Sequence, residues 1–135
     1  MSANTEITDG FVVTLELPAV AALDTSTVVG TNLHRDARLL KAEIVPRAAV
    51  TANGTNFATI TVQNKGTLGS GTTAMASRTW SATNSVAGTK ELMTLNGTAA
   101  NLEVKAGDVV QVVHTSAASG LALPAIAVLL TFLAR

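Results

Sequence analysis

Residues 42–62, AEIVPRAAVTANGTNFATITV, form two apolar-alternating segments on either side of Asn53-Gly54. In the second segment Phe57, Thr59 and Thr61 fall on one side, and Ala58, Ile60 and Val62 on the other. A period of two is that of a strand, whose successive side chains point to opposite faces. Asn-Gly readily supplies the positive φ angles of a tight turn. The segment therefore reads as two strands, joined either by that turn or by a crossing between two sheets. No side chain in it reads as a catalytic acid, base or thiol, so its role is framework.

The alternation recurs along the chain. Phe11–Leu17 sets Phe11, Val13, Leu15 and Leu17 against Val12, Thr14 and Glu16. Arg38–Val45 sets Leu40, Ala42 and Ile44 against Leu39, Lys41, Glu43 and Val45. Weaker strands are expected at Thr73–Trp80, Lys90–Leu95 and Leu102–Val104, and a clear one at Val109–Thr115. Residues 19–33 are ambiguous, with Thr25–Thr31 a candidate short strand. Lys65–Thr73 is a glycine-rich loop. Short strands separated by Gly, Asn, Ser and Thr turns indicate a sandwich or jelly roll. The 20 threonines fit, because β-branched side chains suit a pleated surface. The expected fold is all-β: an antiparallel β-sandwich of about eight strands, jelly-roll-like, over residues 11–135, preceded by an extended N-terminal arm, residues 1–10.

The last expected strand, Ala125–Leu133, is apolar on both faces. Ile126, Val128, Leu130 and Phe132 lie on one, and Ala127, Leu129, Thr131 and Leu133 on the other. Such a strand must be covered twice. A neighbouring subunit is the expected second cover, which makes Leu129 and Leu133 candidate interface residues. The run is shorter than the ~20 residues that a transmembrane helix needs, and Pro124 interrupts it. The polar, acidic start MSANTEITDG does not read as a signal peptide.

Only 13% of residues are charged, nine basic against nine acidic. That balance gives no electrostatic case for nucleic acid or an anionic membrane as partner. So few charges favour self-association. Without cysteine there is no disulfide, thiolate nucleophile or Cys-ligated zinc.

Candidate chemistry is thin. His34-Arg35-Asp36 is the one cluster of functional groups, and two ligands at that spacing are a weak metal signal against a solvated loop. His114 shares a face with Val110 and Val112, which favours a buried or interface histidine over a base. Gly66–Thr73 lacks the spacing of a phosphate-binding loop. Glu16, Glu43, Glu91, Glu103 and Asp108 are dispersed, with no pair placed to flank a scissile bond. Asn53-Gly54-Thr55 and Asn96-Gly97-Thr98 fit a glycosylation sequon but read as turns. Trp80 is the single tryptophan, and it reads either as core or as a subunit anchor. No catalytic residue, cofactor or metal site is expected.

Three stretches in order, AAVTANGTNFATITVQNK (48–65), LNGTAANLEVKAGDVVQVV (95–113) and SGLALPAIAVLL (119–130), resemble small proteins encoded beside the capsid genes of tailed bacteriophages. The match covers roughly residues 45–130, and its motifs are structural. The resemblance implies a β-sandwich capsid auxiliary protein that decorates or cements the head, or serves as the base of a head fibre. It implies the major capsid protein and other copies of the chain as partners, in a homotrimer. It also implies a place on the virion exterior after synthesis in the bacterial host cytoplasm. The arm is then expected to pack on a neighbouring subunit or the shell, so the candidate interface comprises Thr5, Ile7, Trp80, Leu129 and Leu133. Two other classes compete: a carbohydrate- or receptor-binding module of a phage fibre or surface adhesin, and a hydrolase built around His34 and Asp36.

Overall fold

The computed structural model describes residues 10–135, with the backbone alone for Val29, Thr31 and Asn32. Thr5, Ile7 and the rest of the arm before Gly10 lie outside the described residues. Ten strands follow in order: β1 Gly10–Leu17, β2 Ser26–Asn32, β3 Ala37–Pro46, β4 Ala58–Gly66, β5 Thr73–Thr79, β6 Glu91–Leu92, β7 Thr94–Leu95, β8 Glu103–Val104, β9 Val109–Ser116 and β10 Ile126–Ala134. One 3-10 turn, Ala99–Leu102, is the sole helical piece among the described residues.

The strands form two antiparallel five-stranded sheets packed as a sandwich. The first runs β1-β10-β3-β6, with β8 also on the edge of β3, and the second runs β2-β9-β4-β5-β7. The pairings are nested around the loop between Gly66 and Thr73. Thr59 faces Thr79, Ile44 faces Glu91, Ala37 faces Val104, Val28 faces Val112 and Leu15 faces Val128. One long hairpin rolled onto itself gives this nesting, which is the jelly roll. There are more strands than the eight or so expected because the ambiguous 25–31 stretch supplies β2 and the expected Lys90–Leu95 strand is split at Met93 into β6 and β7. The chain leaves the first sheet at Met93, whose N–H bonds the Ala42 carbonyl, and returns at Glu103.

The nesting decides the question left open at Asn53-Gly54. β3 and β4 lie in different sheets, so residues 47–57 are a sheet-to-sheet crossing and not a hairpin turn. Neither Asn53 nor Gly54 has a positive φ. The Asn53 Oδ1 instead accepts from the N–H groups of Thr55 and Asn56 at 2.9 and 2.8 Å, an Asx turn. Asn96 does the same for Thr98, so both Asn-Gly-Thr motifs are turns.

Alternating inward residues supply the core. From β10 come Ile126, Val128, Leu130 and Phe132, from β4 Ala58, Ile60 and Val62, and from β9 Val110 and Val112. Each larger one contributes about 1.5–3 kcal/mol by leaving water. The expected alternation fails in β3. The β3–β10 register slips between Thr131 and Phe132, which face Lys41 and Leu39, leaving Leu40 as the extra residue of a bulge. Leu39, Ala42 and Ile44 are therefore buried, while Leu40 is 47% exposed.

Candidate interaction surfaces

Two of the aspartates hold turns together. Asp108 is buried at the start of β9. Its Oδ2 accepts from the Lys105 N–H at 2.8 Å and from Asn64 Nδ2 at 3.0 Å, closing the turn at Gly107, which has φ +93°. Asp36 Oδ1 accepts from the Ala106 N–H at 2.9 Å, which pins the 33–36 loop to the same turn. Asp36 is thus a loop clasp, and its neighbours His34 and Arg35 are exposed. Among the described residues no group of three or more His, Asp or Glu side chains is placed to hold a metal.

At the opposite end of the sandwich, Arg78 joins the two sheets. Its Nε donates to Glu91 Oε1 at 3.1 Å and its Nη2 to the Thr83 carbonyl at 3.0 Å. Its guanidinium lies 4.7 Å from the centroid of the Trp80 ring, within cation–π range. Trp80 is fully buried. The protomer therefore uses it as core, and it is not presented as a subunit anchor. No sequence signal ties Arg78 to Glu91, because the sheet crossing that brings them together is set by tertiary structure.

His114 is also fully buried, on the inward face with Val110 and Val112, and neither ring nitrogen has a hydrogen-bond partner. Burial pushes its pKa below the ordinary value, and the Asp24 carboxylate opposes this by a smaller amount. The Ser116 hydroxyl, two residues further along β9, is likewise buried without a partner. Glu16, on the outer side of β1, is held below the usual carboxylate range by its 2.7 Å pair with Arg47.

The outer faces of the two sheets differ in chemistry. That of the second sheet is lined across strands by Thr27, Val113, Thr61, Ser77 and Thr94, then by Thr115, Thr59 and Thr79, with Gln111 opposite Gln63. Hydroxyls and amides dominate, and Thr59 and Thr79 bond each other at 3.0 Å. A shallow cleft of about 470 Å³ beside β5 is lined by Ser77, Thr79, Thr83, Leu92 and Thr94 together with Arg78 and Glu91. Its two charged groups pair with each other.

The outer face of the first sheet carries more exposed apolar side chains, set among the charged Glu16, Arg38, Lys41 and Glu43. Val12 is 57% exposed and Leu92 68%, on opposite margins, with Leu40 between them at the bulge. Leu129 and Leu133 stand half-buried on the central strand of this face, and Ala127 is buried beside them. Glu43, opposite Leu129 and Leu92, is covered by Lys41 and Lys90 at 3.7 and 3.4 Å. No third layer covers this face among the described residues. Leu129 and Leu133 share this outer face, with Thr131 between them. Val12, on the polar face of the first strand, shares this surface, as do Leu40 and Leu92, which were hidden by the bulge and by the shortness of β6.

No family model matches this chain, and no curated protein sequence matches it. Among solved structures it is similar to a chain in the structure of infectious bursal disease virus, Gx strain, at 15% identity and a TM-score of 0.37. The likeness covers 93% of this chain, which spans about a third (32%) of that chain's length. At that score the likeness assigns neither a shared fold nor a shared function.

Proposed function

We propose that this protein is a structural component of a virion, a decoration or cement protein seated on the outer surface of a tailed-phage head. The observation that carries the reading is the outer face of the first sheet. There Val12, Leu40 and Leu92 are exposed around half-buried Leu129 and Leu133, a surface suited to another protein rather than to water. The resemblance of residues 48–65, 95–113 and 119–130 to capsid-associated phage proteins names that other protein as the major capsid protein. Most of the carboxylates are engaged in ion pairs with Lys or Arg or in turns, which supports a non-enzymatic role. Such a protein strengthens a shell by adding contact area across capsomers, and stable contacts bury ~1,200–2,000 Å² in total.

The test is co-sedimentation with heads assembled from the major capsid protein of the phage that encodes this chain. Wild type is expected to co-sediment. Leu92→Glu with Val12→Glu should abolish binding without unfolding the sandwich, since both sites are exposed. Thr115→Glu, on the other sheet, should bind as wild type. Failure of wild type to bind, or equal binding by all three proteins, refutes the reading.

The glycan- or receptor-binding alternative draws support from the hydroxyl-lined second sheet and the cleft beside β5. It lacks an aromatic platform, because Trp80 is inside the fold. A Trp80→Ala variant would accordingly report on folding and not on sugar binding.

A further inference from the structure

A sandwich of two open sheets has four edges, and three of them here are blunted. β6 and β8 share one edge with two residues each, β7 contributes two residues to another, and β2 loses register with β9 between Val29 and Asn32. Short or irregular edges are how β proteins avoid pairing with other chains. β1 is different. All eight of its residues pair with β10 without a shift, Gly10 with Leu133 through to Leu17 with Ile126.

β1 contains no Pro, Lys or Arg, and its one charge, Glu16, is drawn across β10 towards β3 by Arg47. Among the described residues nothing pairs with its outer edge. The inward residues on this side, Phe11, Val13 and Leu15 of β1 with Val28 of β2, are only half-buried, although they pack against the core. Both the backbone and the side chains of this margin are therefore left incomplete in one chain.

We infer that β1 pairs antiparallel with β1 of a second copy, joining the two first sheets into one continuous sheet across a twofold axis. Parity permits the match. In an antiparallel pair opposed residues share a face, so a twofold centred on Val13 or on Thr14 sets odd residues against odd and even against even. Phe11, Val13 and Leu15 then complete each other's apolar margin, and the outer positions Val12, Thr14 and Glu16 stay on one surface. An isologous pair consumes both free edges and closes, which a head-to-tail arrangement would not do. No unpaired charge faces the partner. This inference stands on the edge geometry alone and does not depend on attachment to a phage head.

The experiment uses the full chain, which has no native cysteine. Wild type is expected to be a dimer by native mass spectrometry at micromolar concentration. Thr14→Lys places two ammonium groups near the axis on an exposed position, so the dimer should be lost while the far-ultraviolet spectrum stays β-rich. Val13→Cys and Thr14→Cys cover the two registers. One of them should form an intermolecular disulfide under mild oxidation, at least about tenfold faster than Thr115→Cys on the other sheet, because directly opposed Cβ atoms lie ~4.5–5.5 Å apart. A wild-type monomer or trimer overturns the inference. So does a dimer that persists in Thr14→Lys, or crosslinking no faster than in the Thr115→Cys control.

Discussion

The Trp80 indole donates a 2.7 Å hydrogen bond from Nε1 to Ser85 Oγ, with both residues buried where the second sheet meets the 80–90 loop. The same Oγ accepts from Arg78 Nη2 at 3.2 Å, and the Ser85 backbone exchanges hydrogen bonds with Val50. Ser85→Ala should leave the indole N–H buried without an acceptor, a loss of about 1–3 kcal/mol. Chemical denaturation measures it. In a Trp80→Phe background, where the donor is gone, the same substitution should cost clearly less.

His114 gives a pH dependence of definite sign. The unfolded imidazole titrates near its ordinary 6.5, and burial moves the folded value lower. Between the two values the unfolded chain holds the additional proton, so stability rises with pH across that window. The contribution is complete above about pH 6.5 and is lost as pH falls towards the folded value. Thermal melts should therefore show Tm falling on acidification through this range. His114→Leu removes a buried group with no partner, so it should flatten that part of the profile and leave stability at neutral pH equal or higher.

Sequence periodicity was sufficient for β1, β4, β9 and β10, because each has one face in the core and one outside. It also set Ala58, Ile60 and Val62 on one face, and Val110, Val112 and His114 on another, and the fold turns both inward. It failed at Leu40, since a bulge is set by the register of the partner strand and leaves no mark in the local pattern. It could not join Arg78 to Glu91 or Asp36 to Ala106, contacts made by crossings between distant segments. Of the candidate surface, Leu129 and Leu133 were legible from the doubly apolar last strand. Trp80 was ambiguous because a lone aromatic reads alike as core or as anchor.

The bulge makes a sharp prediction for two adjacent leucines. Leu40→Ala should change stability by no more than about 0.5 kcal/mol, as befits an exposed site. Leu39→Ala should cost about 2–5 kcal/mol through the cavity it leaves. Reversal of that order in urea denaturation would show that β3 pairs with β10 in the uninterrupted register.

The two aspartates of the 34–36 and 105–108 loops should separate in the same way. Asp108 is buried and serves Lys105, Asn64 and, at 3.4 Å, Thr67, so Asp108→Ala should cost about 1–3 kcal/mol. Asp36 is exposed and closes a single backbone hydrogen bond, so Asp36→Ala should cost about 0.5–1.5 kcal/mol. Adding zinc or manganese should move Tm of neither wild type nor His34→Ala. A metal-dependent rise that His34→Ala abolishes would restore the ligand reading of this loop.

The central claim, that the apolar outer face of the first sheet seats the protein on a phage head, is tested most directly by comparing three-dimensional reconstructions of heads with and without it. The difference density should be a sandwich on the outer surface, with Leu92, Leu129 and Leu133 turned towards the shell. Density inside the head, no difference density, or a sandwich attached through the hydroxyl-lined second sheet would contradict it.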